Sequence, residues 1–98
     1  MHFRFKDDKL RLLWMEGRNA HKLPVEAIHG FARAIGHIRA ASDIRYFYNI
    51  KSLHFEKLLG RTEQYSLRLN KQWRLIVELE TDENGNLVVI IGIEDYHH

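Results

Sequence analysis

The chain has 98 residues, of which 45% are hydrophobic and 29% charged, a balance typical of a globular protein rather than a disordered or fibrous one. It contains no cysteine, which excludes disulfides and thiolate metal sites, and no apolar run approaches the roughly 18 residues of a membrane helix. Residues 1–6 are too charged for a signal peptide, so we expect one soluble, cytoplasmic domain spanning residues 1–98 that does not bind a membrane.

The first elements are a short strand and a helix. Phe3 and Phe5 alternate with polar residues, as in a strand. Asp7 or Asp8 can cap a helix that ends at Gly17. The apolar face of this helix is predicted to carry Leu10, Leu13 and Trp14.

A second helix is predicted after Pro24, which suits a first helical turn. Its apolar residues recur every three or four positions as one buried seam, at Ile28, Phe31, Ile35 and Ile38. His29, Arg33 and His37 follow the same helix, but the two histidines are two turns apart, about 12 Å along the axis, too far to share one metal ion. We interpret these three residues as a solvated face and assign them no chemistry.

The second half of the chain has the period of two that is typical of strands. One strand is predicted at 64–70, and another begins at Trp73 after a two-residue turn. Asn84 and Gly85 form a strong hairpin signal, and the apolar run 87–93 suits a central or well-covered strand. We therefore predict an α+β fold in which two amino-terminal helices pack on a small antiparallel β-sheet.

Positive charge is concentrated in one part of the chain. Residues 45–75 carry seven Lys and Arg against two acidic residues, an excess of five in a chain whose net charge is +2. Acidic residues gather instead at 78–83, at the other end of the predicted hairpin. This polarity favours a nucleic-acid partner slightly, and a role in solubility alone remains the alternative.

Arg68 and Arg74 become neighbours if the first hairpin closes around Lys71, with their β-carbons about 5 Å apart. Two like charges at that distance are destabilising unless an anion lies between them. A phosphodiester fits, because each guanidinium offers a fork of donors to its oxygens, and a neighbouring carboxylate would serve equally well.

The carboxy-terminal residues are expected at the same end of the sheet. Counting outward from the turn at 84–85 places Asp95 beside Arg74, within a register slip of one residue, and Tyr96 and His97 follow. These groups would pair phosphate-binding cations with proton donors and acceptors. Cleavage of RNA through its own 2′-hydroxyl needs that combination and neither a metal nor another cofactor.

His54 lies between the two halves, three residues from Lys51 and three from Lys57. An imidazole can exchange protons near neutral pH, so a loop histidine in a basic setting is a candidate acid or base. A lone surface histidine is more often idle, and position alone does not separate the two interpretations.

The sequence QYSLRLNKQWR at 64–74, followed by EDYH at 94–97, closely resembles the HigB-type toxins of the RelE/ParE superfamily. The resemblance covers the layout of the whole chain and is strongest from residue 53 onward. It implies a RelE-like microbial ribonuclease fold and a ribosome-dependent messenger-RNA endonuclease of a type II toxin–antitoxin system. The implied partners are the ribosome, its messenger RNA and a helix-turn-helix, HigA-like antitoxin, through which alone the toxin would meet operator DNA.

The same resemblance implies roles for individual residues. The catalytic positions are matched by His54, Asp95, Tyr96 and His97, and the basic phosphate-facing positions by Lys57, Arg68 and Arg74. One histidine would deprotonate the 2′-hydroxyl, and the other histidine or Asp95 would assist the leaving 5′-oxygen. Tyr96 would stack on a base, donate a hydrogen bond or simply cover the sheet edge.

The loop before the first long strand departs from the family pattern. Such toxins usually have Lys-Gly-Asp-Arg followed by a glycine, whereas LGRTE at 59–63 is one residue shorter and has Glu63 in place of the glycine. We include Arg61 of this loop among the RNA-binding residues, and Glu63 adds an acid near that surface.

Two alternative functions keep part of this interpretation. In the first, the chain is a ParE-like toxin that poisons DNA gyrase by binding and cleaves no RNA. In the second, it is a non-catalytic nucleic-acid-binding module whose arginines follow phosphates. The terminal acid-Tyr-His group favours the nuclease over both.

Overall fold

The computed structural model describes residues 1–18, 22–83 and 85–95. Within these ranges the chain forms five strands, three α-helices and one 3₁₀ turn, and no helix is long and apolar enough to cross a membrane. In chain order the elements are β1 (His2–Phe5), α1 (Asp8–Glu16), α2 (Val25–Ala40), α3 (Arg45–Asn49), the 3₁₀ turn (Lys51–Leu53), β2 (Glu56–Lys57), β3 (Gln64–Arg68), β4 (Trp73–Asp82) and β5 (Gly85–Asp95).

The strands form one mixed sheet in the order β1-β5-β4-β3-β2. The predicted α+β class is confirmed, and β5 lies between β1 and β4, as the apolar run 87–93 predicted. The prediction of an antiparallel sheet is wrong at one edge, because β1 runs parallel to β5. Alternation of Phe3 and Phe5 indicates a strand but not its partner. A parallel pair needs a long crossover, which here is the chain between β1 and β5.

The helices begin and end largely where their capping residues predict. Asp7 caps α1 by accepting a hydrogen bond from the backbone N–H of Lys9 at 3.1 Å, and Gly17 ends that helix at φ 67°. Pro24 is the N-cap of α2. The strand predicted before the first helix is present as β1, and the prediction of two amino-terminal helices needs correction because α3 follows them as a third.

The main core lies between α2 and one face of the sheet. Three of the four predicted apolar positions of α2 are buried there, and the fourth, Ile28, is half-buried. They pack with strand residues that alternate along the sheet. The buried set includes Phe31, Ile35, Ile38, Leu67, Leu75, Val77, Val88 and Ile90.

The hairpin between β4 and β5 carries an irregularity that the sequence does not show. Asp82 pairs with Gly85 at the turn, and Asn84 lies outside the described residues. Further along, Val77 pairs with Ile90 but Ile76 pairs with Gly92, so one residue of β5 is extra. Such a β-bulge shifts every later pair and changes which side chains share a face.

Candidate active site

His54 is held at the surface by its backbone and by two buried neighbours. It follows the 3₁₀ turn with φ 45° and ψ 48°, in the left-handed region that non-glycine residues rarely adopt. Leu53 and Phe55 on either side are buried, and Phe55 stacks on Tyr65 with 5.2 Å between ring centroids. Backbone strain of this kind concentrates at functional sites. Here it presents the imidazole beside the end of β3.

Arg68 and Arg74 are Cα partners across β3 and β4, as predicted from the spacing around Lys71. They lie on the sheet face away from α2, because Leu67 and Leu75 beside them face the core. The edge strand β2 pairs with β3 only as far as Ser66. The edge of β3 is therefore not covered by a strand at Arg68.

This uncovered edge forms a cleft of about 190 Å³, which we call the first cleft. Its described lining combines three cations and one imidazole with no carboxylate, and a buried serine lies within it. A concave surface with one sign of charge concentrates ions of the opposite sign. The lining residues are His54, Ser66, Arg68, Asn70, Lys71 and Arg74.

Asn70 organises the turn that carries this cleft. Its side-chain oxygen accepts hydrogen bonds from the backbone N–H groups of Gln72 at 2.9 Å and Trp73 at 2.7 Å. Its carbonyl oxygen accepts one from Nε of Arg68 at 3.2 Å. The inner nitrogen of that guanidinium is therefore fixed on the turn, and its two terminal nitrogens are its remaining donors.

Glu94 supplies the counter-charge on this face. It accepts two hydrogen bonds from Arg61, at 2.8 and 2.9 Å, and lies 3.7 Å from a terminal nitrogen of Arg74. The bonds from Arg61 hold the pKa of the Glu94 carboxyl below its usual value, although partial burial opposes this, and they raise the pKa of Arg61. Of the two anions that the sequence allowed beside the arginines, a carboxylate therefore accompanies Arg74.

Asp95 lies on the opposite face of the sheet. The prediction placed the turn at 84–85, but Asp82 pairs with Gly85, so the turn lies one residue earlier, and the β-bulge adds one residue to β5. Together these two differences make Glu94, not Asp95, the Cα partner of Arg74, and Asp95 pairs with Trp73, which packs against the core. This is the one-residue slip that the sequence allowed, and it reverses the direction of the side chain. One oxygen of Asp95 accepts from Gln72 at 3.0 Å. The other is buried without a hydrogen-bond partner among the described residues.

Two of the remaining predicted site residues, Lys57 and Arg61, do not line the first cleft. Lys57 is exposed on β2 and is the Cα partner of Tyr65, so it faces away from Ser66. Arg61 is engaged with Glu94, as described above. Tyr96 and His97 lie outside the described residues.

Sequence reasoning did not assign Asn70, Ser66 or Glu94 to the site, and it named Lys71 only as the centre of the turn. The first two could have been found, because an Asn at a turn commonly bonds the backbone two residues on, and Ser66 alternates with the core residues of β3. Nothing local could have predicted Glu94, whose partner Arg61 is 33 positions away. The backbone of the loop at 59–63 explains why the family pattern has a glycine where this chain has Glu63. Glu63 has φ 57°, a conformation that favours the expected glycine.

Among residues 1–18, 22–83 and 85–95, no three His, Asp or Glu side chains come close enough together to hold an ion. The chemistry available from the described residues is therefore that of arginine forks, an imidazole and carboxylates.

Comparison with known proteins gives the same assignment as these motifs. The family model for HigB, the RelE-like toxin of type II toxin–antitoxin systems, matches residues 3–97. An uncharacterised protein of Haemophilus influenzae is 32% identical over 84 residues, covering 85% of this chain and 83% of that protein. The solved YoeB/ParE toxin from Agrobacterium tumefaciens shares the fold, with a TM-score of 0.58 over 99% of this chain and 100% of that one, at 11% identity. The chain belongs to the HigB-like family of RelE-like type II toxins.

Proposed function

We propose that this toxin is an endoribonuclease that cleaves messenger RNA on the ribosome, without a metal, by using the RNA's own 2′-hydroxyl as the nucleophile. The single observation that carries the proposal is the first cleft, in which His54 lines the same concave surface as Arg68 and Arg74. An imidazole beside two phosphate-binding guanidiniums supplies both proton transfer and charge stabilisation.

The reaction assigns a task to each group. A base removes the proton of the 2′-hydroxyl, the 2′-oxygen forms a bond to phosphorus, and the bond from phosphorus to the 5′-oxygen breaks. The leaving 5′-oxygen takes up a proton from an acid, and the products are a 2′,3′-cyclic phosphate and a 5′-hydroxyl. Arg68 and Arg74 would stabilise the charge that develops on the phosphoryl oxygens. This step consumes no water, because the 2′-oxygen of the RNA is the nucleophile, and the proposal assigns no role to a metal.

His54 is our candidate for one of the two proton-transfer roles, with His97 or Asp95 for the other. His54 is the candidate that the structure describes in the first cleft. Asp95 is on the opposite face, where its side chain accepts from Gln72. A role for Asp95 in catalysis therefore requires that it act from the strand end rather than beside Arg74. Tyr96 is proposed as a stacking or hydrogen-bonding contact to the RNA.

Lys57 and Arg61 are proposed as outer contacts to RNA or ribosome. Lys57 is exposed on the edge strand and can meet a phosphate at long range. Arg61 can do so only if RNA displaces it from Glu94, because both terminal nitrogens of its guanidinium donate hydrogen bonds to that carboxylate.

A type II toxin has an antitoxin partner. We propose that this antitoxin is a HigA-like helix-turn-helix protein, and that the toxin meets operator DNA only as part of their complex. The chain has a net charge of +2, and its first cleft is basic. Both features suit a negatively charged partner, which can be RNA or an acidic antitoxin segment that covers the first cleft.

Expression of the toxin without its antitoxin tests the nuclease proposal. New 5′ ends would be mapped on messenger RNA for the wild type, His54→Asn and His29→Asn, the last being an exposed histidine on α2 outside the first cleft. Asn tolerates the left-handed backbone of position 54 and so separates chemistry from folding. We expect cleavage inside translated codons for the wild type and His29→Asn, and its loss for His54→Asn.

Other outcomes would select the alternatives. Growth arrest with intact transcripts and DNA damage would indicate a gyrase poison. Full cleavage by His54→Asn would remove this residue from the chemistry. RNA binding without any cleavage by the wild type would indicate a non-catalytic binding module.

A further inference from the structure

A second cleft, of about 260 Å³, lies between α2 and the turn that follows β3. It adjoins the first cleft, because Arg68 and Asn70 line both. The residues that line this second cleft are Gly30, Arg33, His37, Ser52, Leu53, Arg68, Leu69 and Asn70.

The shape of this cleft depends on an unusually close approach of α2 to the turn. A Cβ atom at Gly30 would lie 2.0 Å from the carbonyl oxygen of Leu69 and 2.7 Å from its Cα. Any larger residue at position 30 would therefore push the helix away. Gly30, Leu53 and Leu69 are buried and form an apolar floor under the polar groups.

Two arginine residues from different elements line this cleft. Arg33 belongs to α2 and is exposed, and Arg68 belongs to β3. No acidic residue is among the described residues that line the cleft. Two like charges around one concave surface favour an anion between them, and the arginine fork matches the oxygens of a phosphate.

His37 adds a third polar group and is itself held in place. Its Nδ1 shares a hydrogen bond of 2.9 Å with the hydroxyl of Tyr46, and the two rings pack with their centroids 5.8 Å apart. The ring is half-buried, in contrast to exposed His29 on the same helix. Of the three residues predicted to form a solvated face, His29 and Arg33 are exposed, whereas His37 is half-buried. Its second ring nitrogen, Nε2, is the remaining polar atom that a ligand can meet.

We propose that the second cleft binds the RNA phosphate next to the one that is cleaved, with Arg33 and His37 as its contacts. This inference rests on the proposed nuclease function and extends it to a second subsite. An RNA strand carries a phosphate at every nucleotide. A strand that runs from the first cleft past Arg68 reaches the second cleft, because Arg68 and Asn70 line both. The shared arginine favours one continuous strand over an acidic protein segment.

The test measures the binding of short single-stranded RNAs that carry a 2′-deoxy group at the cleavage position, so that they are not cut. In a series of such RNAs, one phosphate at a time is replaced by an uncharged methylphosphonate. The proteins are the wild type, Arg33→Gln, and Arg39→Gln as the matched control, since Arg39 is exposed on the same helix but lies outside both clefts.

For the wild type, neutralising the phosphate on one side of the scissile linkage should weaken binding about three- to tenfold, a modest effect because the contact stays partly hydrated. Arg33→Gln should weaken binding of unmodified RNA by a similar factor and should be insensitive to that same replacement. It should also reduce the slope of log Kd against log salt by about 0.7, the value for one phosphate contact on a single strand. Arg39→Gln should behave as the wild type.

Equal sensitivity of the wild type and Arg33→Gln to every replacement would overturn the second subsite, and so would failure of the wild type to bind these RNAs at low salt. Cleavage on ribosomes is measured in parallel with Arg68→Gln. If Arg68→Gln loses cleavage while Arg33→Gln binds RNA as tightly as the wild type, the second subsite is overturned and the proposed nuclease function still stands. Absence of cleavage by the wild type would instead reject the proposed function.

Discussion

Substitutions at His54 should separate the chemistry of the site from its stability. The backbone there is left-handed, at φ 45°, which costs an L-residue roughly 1–2 kcal/mol, less for His and Asn than for Ala. Glycine removes this strain but loses about 0.5–1 kcal/mol through the entropy of the unfolded chain. His54→Gly should therefore be as stable as the wild type or up to about 1 kcal/mol more stable. His54→Asn should match the wild type, and His54→Ala should be the least stable.

The assay is thermal unfolding together with cleavage of messenger RNA on ribosomes. A difference of 1 kcal/mol shifts Tm by about 4–8 °C in a domain of this size, so the order is measurable. Cleavage should fall about 10²- to 10⁴-fold in all three variants, the range typical of a general acid or base. The reasoning is refuted if His54→Ala is the most stable variant or if His54→Gly cleaves at the wild-type rate.

Three further substitutions, with Gly36→Ala as a matched control for the first, test the fold around the site. Gly30→Ala should lower the free energy of unfolding by about 1–3 kcal/mol, because the new Cβ meets the backbone of Leu69. Gly36→Ala has open space around the new Cβ and should raise the free energy of unfolding by about 0.4–1 kcal/mol. Equal effects of the two substitutions in urea unfolding would contradict the close approach at Gly30. Glu63→Gly should raise the urea midpoint without changing the m-value, because φ 57° favours glycine, and a lower midpoint would count against that backbone. Glu94→Gln should cost no more than about 1 kcal/mol at pH 7, since the pair with Arg61 is partly exposed. The pKa of Glu94 is lowered in the folded state. The difference in unfolding free energy between the wild type and Glu94→Gln should therefore be present above pH 4.5, the ordinary pKa of this carboxyl, and should vanish as the pH falls through its lowered, folded-state pKa. A difference that stays constant in acid would reject the ion pair.

The sequence was most informative where structure depends on neighbouring residues. The pairing of Arg68 with Arg74 follows from alternation on both sides of a short turn, and a hairpin fixes register over a few residues. The two ends of α1 could be predicted from the sequence for the same reason, because Asp7 and Gly17 each interact with the adjacent turn of the helix.

The rest depends on contacts that leave no local pattern. The β-bulge falls where β5 is apolar on both faces, so an extra residue changes no alternation, and Asp95 moves to the opposite face from Arg74 without any signal. The parallel pairing of β1 with β5 and the bonds between Arg61 and Glu94 join distant parts of the chain. The second cleft depends on the approach of α2 at Gly30, which a helical pattern does not predict.

In the proposed reaction, the first cleft holds a phosphodiester while the 2′-oxygen attacks it. The most direct measurement is end-group analysis of messenger RNA cut on ribosomes by the purified toxin. The substrates carry either a ribose or a 2′-deoxyribose at the cleavage position, and Arg74→Gln is the comparison. We expect a 2′,3′-cyclic phosphate and a 5′-hydroxyl from the ribose substrate, and little cleavage of the 2′-deoxy substrate or by Arg74→Gln. Products bearing a 5′-phosphate, or equal cleavage of the 2′-deoxy substrate, would contradict the proposed reaction.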